Sequence, residues 1–241
     1  MKKSEIEYFG HDLDSMDLAV NYHNWILDVF RPFLGRNIVE VGAGTGSFSK
    51  LLLETAPETV TLIEPSDMFQ KLKEEIDHSK YETKIKFING IFSNFVFSNS
   101  DNQRPDTIVY INVLEHVEDD TSELQLMHNS LTQNGKICIF VPAVPFLLSD
   151  FDRQIGHFRR YSRKELVSKC ETAGFRVRLA RGFDFPGILP WLVKYRLMRS
   201  LTIEQSMVKL YDRLFVPPIR FVESIIKPPI GKNLILVAEK I

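Results

Sequence analysis

Asn37–Lys50 reads NIVEVGAGTGSFSK, and the order of residue types in it decides the fold. Ile38, Val39 and Val41 make an apolar run of the kind expected of a buried strand. Three glycines follow, Gly42, Gly44 and Gly46, with Ala43 between the first two. Glycine reaches backbone conformations closed to other residues and carries no Cβ, so the chain can turn sharply there and lie against a ligand. SFSKLLLET then reads as a helix, whose first N–H groups lack intrahelical partners and point back at the loop. About twenty residues on, TVTLIEPS is a second apolar run ending in Glu64 and Pro65. A carboxylate at that strand tip can accept hydrogen bonds from both hydroxyls of a ribose. Together the two segments describe a pocket for an adenosine-bearing molecule at the carboxyl end of a parallel sheet.

The glycine spacing separates one such molecule from another. A dinucleotide-binding loop puts its third glycine three residues after the second, so that a pyrophosphate can sit on the helix N-terminus. Here Ser47 holds that position. Glu40, two residues before the loop, would repel a phosphate and welcome a cation. An ordinary glycine turn in an α/β domain and an NAD site are the alternatives that these residues leave open.

The pattern E-x-G-x-G-x-G over Glu40–Gly46 resembles the first motif of class I S-adenosylmethionine-dependent methyltransferases. The resemblance continues along the chain. Asp106–Asp120, DTIVYINVLEHVEDD, is similar to the family's strand-four motif, and LTQNGKICIFVPA to the helix–turn–strand after it. DRQIGHFRRYSRKELVSKCETAGF resembles a segment of bacterial members that follows strand five. Together these cover about Tyr22 to Phe183, with the last strand added.

The resemblance implies a Rossmann-like, doubly wound, seven-stranded and mostly parallel sheet, its last strand antiparallel. It implies S-adenosyl-L-methionine as cofactor, with Glu40, Gly42, Ala43, Gly44, Gly46, Glu64 and Pro65 around it. Asn112 and Val113 would flank its methionine half, and Ile91 and Phe92 its adenine. An aromatic residue near Tyr22, on a helix before the first strand, would reach its carboxylate. His116, beside the strand-four tip, and His157 are candidate proton acceptors, and Tyr161 a candidate to orient a substrate hydroxyl. Arg159 and Arg160 are candidates to hold an anionic group, since the guanidinium suits bidentate recognition of oxyanions. No residue is assigned to a metal.

Elsewhere the chain alternates strand and helix signals, which argues for a sheet covered on both faces. Ser66 or Asp67 is expected to cap a helix to Ile76, Asp120 with Glu123 to form a capping box, and Ser162 with Glu165 a second. Residues 1–183 and 232–241 are expected to form the core. The intervening 184–231, aromatic and aliphatic residues mixed with Lys and Arg and divided by prolines, forms a helical insertion. An insertion of that length in a compact domain is usually functional. It suits a lid, a dimer contact or a helix resting on a membrane, and it points to a small-molecule acceptor of amphiphilic or lipid-linked type.

The 241 residues carry a formal charge of −1, with 44% hydrophobic and 25% charged residues, a balance that suits a globular domain and no nucleic-acid partner. Phe151–Ser200 nonetheless holds twelve Lys and Arg against four Asp and Glu, a local excess that can attract an anionic substrate or lipid headgroups. Asn112-Val113-Leu114-Glu115 is not the signature of base-amine methylation. Cys138 and Cys170 sit in apolar runs and read as core residues. The opening MKKSEIEYFGHDLDS lacks the apolar core of a signal peptide. Ile137–Ser149, the longest charge-free apolar stretch, is shorter than the roughly 20 residues that span a bilayer. A cytoplasmic enzyme is expected. A non-catalytic cofactor-binding or scaffold protein is the rival reading.

Overall fold

The computed structural model describes residues 18–98 and 104–241. The opening stretch read for a signal peptide lies outside them. Seven strands form one sheet: β1 Asn37–Val41, β2 Thr59–Glu64, β3 Lys84–Asn89, β4 Thr107–Ile111, β5 Lys136–Pro142, β6 Phe175–Phe183 and β7 Asn233–Lys240. Their spatial order is β3-β2-β1-β4-β5-β7-β6. β1 to β5 run parallel, and β7 is antiparallel to both β5 and β6. The expected doubly wound sheet with a reversed last strand is therefore what the chain forms. Chain order reverses between β1 and β4, and such a switch point opens a crevice at the strand tips.

Alternate residues of the central strands feed two cores. Ile38, Val60, Leu62, Val109, Cys138 and Phe140 face α1 (Val20–Phe30), α2 (Ser47–Leu53) and α3 (Met68–Glu75) through Trp25, Phe30, Phe48, Leu52 and Leu72. Val39, Ile63, Ile108, Tyr110, Ile137 and Ile139 pack under α4 (Phe92–Ser98) and α5 (Asp120–Ser130). Beyond β5 come a short α6 (Asp150–Gln154) and α7 (Arg163–Thr172), which adds Leu166 and Cys170 to that second core. Both cysteines are buried and unpaired.

The caps follow expectation only in part. α5 is capped by Asp119, which accepts from the Ser122 amide at 3.0 Å, not by Asp120. Adjacent aspartates both suit the role, and the helix starts one residue earlier in register. Asp120 turns inward instead, to Tyr161, Arg159 and Lys169. Ser162 caps α7, accepting from the Glu165 amide at 3.2 Å, which is one half of the expected capping box. Ser66, through its Oγ, accepts from Met68 at the start of α3.

Between β6 and β7 lie α8 (Ile188–Trp191), α9 (Gln205–Leu210) and α10 (Val216–Ile225), with π-helical turns at Leu192–Leu197 and Tyr211–Phe215. Three buried carboxylates bind this segment to the core. Asp184 accepts from the hydroxyls of Tyr211 (2.5 Å) and Tyr22 (3.2 Å) and pairs with Lys232 at 3.0 Å. Glu223 accepts from the amides of Asp184 and Phe185. Asp212 accepts from the amides of Asn21 and Tyr22, at 3.0 and 2.9 Å, and so caps the first turn of α1 from outside. Removing that carboxylate leaves buried amides unsatisfied, each worth about 1–3 kcal/mol. Asp212→Ala is accordingly expected to lower stability by several kcal/mol in chemical denaturation. An unchanged midpoint would show that water replaces the carboxylate freely.

Candidate active site

The loop after β1 is held in place by the neighbouring strand tip. The amides of Gly42 and Ala43 both donate to the Ile63 carbonyl, at 2.8 and 3.1 Å. Gly44 donates to Glu64 Oε2 at 2.8 Å, while Oε1 accepts from the Ser66 amide (2.9 Å) and hydroxyl (2.5 Å). All three glycines have left-handed φ: +70° at Gly42, +56° at Gly44 and +89° at Gly46. Their reasons differ. A Cβ on Gly42 would overlap Cγ2 of Val113, and one on Gly46 would meet Leu72 Cδ1 at 2.9 Å. A Cβ on Gly44 would have no heavy atom within 4 Å. The first and third glycines serve packing, whereas the second leaves room for something else.

That room is a cavity of about 210 Å³ over the tips of β1, β2 and β4. Its walls include Glu40, Gly42, Ala43, Gly44, Glu64, Pro65, Ile91, Phe92, Asn112, Val113 and His116. Asn112 reaches it with φ +52°, a left-handed conformation that asparagine tolerates better than most residues. Glu40 is buried and accepts from Ser49 Oγ at 2.5 Å. Burial raises its carboxyl pKa to about 8, against the lowering effect of the Ser49 bond and with a further push from Glu64. Without a cation beside it, Glu40 thus holds its proton near neutrality. An acid pair of this kind at the mouth of a glycine loop favours a positively charged ligand over a phosphate.

A family model described as a methyltransferase domain matches residues 18–180. The chain belongs to the class I methyltransferase family. The domain is 30% identical over 133 residues to an uncharacterised methyltransferase of Geobacillus sp. (strain WCH70), which covers 54% of this chain and 58% of that one. The chain thus spans less than three fifths of the length of the curated relatives it matches. Among solved structures, the fold is like that of a chain from the complex of the Haloferax volcanii Trm112 methyltransferase activator with a methyltransferase: TM-score 0.64, 16% identity, covering 96% and 94% of the two chains. It is also like an S-adenosylmethionine-dependent methyltransferase of Archaeoglobus fulgidus, with TM-score 0.58, 17% identity and coverage of 89% and 91%.

S-adenosylmethionine is the cofactor of this methyltransferase family, and the cradle fits it. Glu64 presents a buried carboxylate at the tip of β2, Glu40 a second acid that a cation beside it would draw into its charged form, and Gly44 leaves the wall open. Six of the residues singled out in the sequence, Gly46, Tyr22, His157, Arg159, Arg160 and Tyr161, do not line this cavity. Gly46 supports the loop from behind. Tyr22 faces the insertion, its hydroxyl 3.2 Å from Asp184 and 3.1 Å from Asn233. Its neighbour His23 lines the cavity instead, with Phe48 edge-on to its ring. One residue along a helix turns a side chain by about 100°, and only the docking of α1 selects between them.

Tyr161 is fully buried, donating to Asp120 at 2.8 Å, and burial together with that carboxylate raises its pKa far above the usual tyrosine range. Its hydroxyl is structural in this arrangement. Arg160 is buried too, bound to Asp152 through Nε and a terminal nitrogen and stacked over Trp191. Arg159 is held by Asp120 and the Glu118 carbonyl. Neither arginine faces the cavity.

His116 and His157 do meet, edge to face, with ring centroids 4.6 Å apart. Only His116 lines the cavity. Burial, then the neighbouring His157, lowers its pKa to about 3, which makes it a weak proton acceptor at neutral pH. His157 Nδ1 lies 3.0 Å from Asp152 Oδ1. Glu115, between His116 and the core, is fully buried, and burial raises its pKa to about 7. Sequence reading passed over Glu115 and Asp152. Their signals were present: an acid between apolar Leu114 and His116, and Ser149 three residues before Asp152, which form a reciprocal capping box.

Proposed function

We propose that this protein transfers a methyl group from S-adenosylmethionine to a small amphiphilic acceptor presented at an anionic membrane surface. The observation carrying the cofactor half is the pair of buried carboxylates, Glu40 and Glu64, around a loop whose central glycine leaves its side unfilled. Bound there, S-adenosylmethionine supplies a methyl already made electrophilic by its sulfonium. The protein's work is then mainly alignment and exclusion of water, and alignment alone can supply several kcal/mol of a barrier, out of roughly 7–11 available from proximity. Glu64 holds the ribose, Glu40 faces the cationic end, Phe92 and Ile91 border the adenine, and Asn112 with Val113 line the methionine half.

Glu40 gives this reading a pH signature. A cation beside it favours the carboxylate, so the complex binds fewer protons than the free protein. Affinity for S-adenosylmethionine is expected to rise with pH between about 6 and 7.5, below the α-amino range of about 7.7–8.0. Calorimetry in buffers of different ionisation enthalpy should register a released proton, and Glu40→Gln should flatten the slope. A pH-independent affinity in the wild type would detach Glu40 from the cofactor. By the same shift, the ligand-free protein has this contribution to stability in full below the carboxyl's ordinary 4.5 and loses it as pH rises through about 8.

The acceptor half rests on 184–231. Among the described residues, fifteen of the twenty large apolar side chains that are exposed belong to this segment, Leu197, Met198, Phe221, Ile225 and Ile226 among the most exposed. Three of its four acids, Asp184, Asp212 and Glu223, point into the protein, while Lys194, Arg196, Arg199, Lys209, Arg213, Arg220 and Lys227 belong to the same segment. Apolar residues interspersed with cations suit the interface of a bilayer bearing negative headgroups. No helix among the described residues is long and apolar enough to cross a membrane. Flotation with vesicles of phosphatidylcholine plus phosphatidylglycerol is expected to carry the protein, and phosphatidylcholine alone much less. The double variant Phe221→Ser, Ile225→Ser should abolish flotation without moving the melting temperature. Vesicle binding unaffected by that variant, or a dimer in sedimentation that the variant dissociates, would overturn the membrane assignment.

A further inference from the structure

We propose that Glu115, His116 and His157 form a binding site for one divalent transition-metal ion, zinc in the first instance, in the wall of the strand-tip cavity. One ligand atom of each lies within 4.8 Å of the others. A cluster alone is weak ground, and the independent observation is Glu115. It is fully buried, and neither of its carboxylate oxygens has a hydrogen-bond partner. Its Oε1 is 3.7 Å from His157 Nε2, too far for a hydrogen bond. Buried polar atoms are satisfied almost without exception, and a carboxylate is the most costly to leave bare. A cation between Glu115 and the two imidazoles would satisfy it.

The surroundings are those of a prepared ligand set. Asp152 Oδ1 stands 3.0 Å from His157 Nδ1 and is itself fixed by two nitrogens of Arg160, while Oδ2 is fixed by Ser149. A carboxylate on one ring nitrogen sets the tautomer and leaves the other nitrogen, here Nε2 on the Glu115 side, to bind metal. Two histidines and one carboxylate suit zinc with a further position open. Tetrahedral bonds of about 2.0–2.1 Å put ligand atoms roughly 3.4 Å apart. The 3.7 Å pair is near that already, and the rest need only modest side-chain movement.

His116 belongs to both the cluster and the cavity wall, so an ion there lies within reach of a molecule in the cavity. On the methyl-transfer reading, and only on it, the open position would take the oxygen of an acceptor hydroxyl and ease the loss of its proton to solvent. The oxygen–methyl bond then forms as the carbon–sulfur bond breaks, its electron pair passing to sulfur.

The rival account is a proton shared by Glu115 and His157. The test is a titration of the metal-stripped protein and of Glu115→Gln and His157→Gln, with no cofactor or acceptor present. Zn(II) binding is read by calorimetry and melting temperature, and Co(II) by visible absorption. One equivalent per chain, ligand-field bands with Co(II), and at least tenfold weaker binding by each variant are expected. Absence of stoichiometric binding, or equal binding by wild type and Glu115→Gln, would overturn the site. Glu115→Gln is nearly isosteric and removes only the carboxylate that would bind the metal, so it decides alone if His157→Gln fails to fold. Because no cofactor is present, the result stands apart from the fate of the methyl-transfer reading.

Discussion

Glu64→Ala is expected to weaken S-adenosylmethionine binding by about 100-fold or more. A hydrogen bond to a charged group is worth about 1.5–3 kcal/mol, and the ribose offers two hydroxyls to this carboxylate. Every 1.4 kcal/mol is tenfold in affinity. The side chain also supports the loop, since Gly44 and Ser66 both donate to it. Glu64→Gln separates the two contributions. Its amide oxygen can keep the Gly44 bond while the charge is lost, so it should bind more tightly than the alanine variant and more weakly than wild type. Calorimetry gives the affinities, and circular dichroism confirms the fold. If Glu64→Ala binds the cofactor as wild type does, the ribose is held elsewhere.

The glycine loop yields the second large effect, as a contrast between neighbours. Gly42→Ala places a β-carbon against Val113 in a backbone conformation that costs an alanine about 1–2 kcal/mol before any clash. Its main effect is on folding, a loss of about 3 kcal/mol or more once overpacking is added. Gly44→Ala carries the same backbone strain but meets nothing in the ligand-free protein. It should lower stability only by that strain and lower cofactor affinity by at least tenfold, because its methyl enters the space that the ligand needs. Chemical denaturation and calorimetry on the two variants test the pair together. Equal losses of stability with equal affinity would mean that the gap beside Gly44 is not where the ligand lies.

What was legible in the sequence was whatever depends on order and spacing along one strand. The run Ile38–Val41 followed by spaced glycines fixes β1 and its loop, and the tip of β2 follows from the apolar run before Glu64. The mostly parallel, seven-stranded sheet with its reversed last strand came from the same motifs through the family they resemble. Choices made by packing between distant segments were not legible. Tyr22 and His23 are adjacent on α1, and the contact with Asp184 and Asp212, some 160 to 190 residues away, turns the tyrosine from the cavity and the histidine into it. Arg160 and Tyr161 looked like substrate-facing residues because they are polar and follow β5. The fold instead spends them on Asp152 and Asp120. In the sequence 184–231 mixes apolar residues with Lys and Arg, but only the structure reveals that three of its four acids are buried while fifteen of its large apolar side chains are exposed.

Titration of the intact protein with S-adenosylhomocysteine and, separately, NAD is the most direct test of the central claim that the β1 loop and Glu64 cradle a sulfur nucleoside. The account predicts one equivalent of S-adenosylhomocysteine bound per chain, sensitive to Glu64→Ala, with no heat from NAD. Saturable binding of NAD with none of S-adenosylhomocysteine would contradict it.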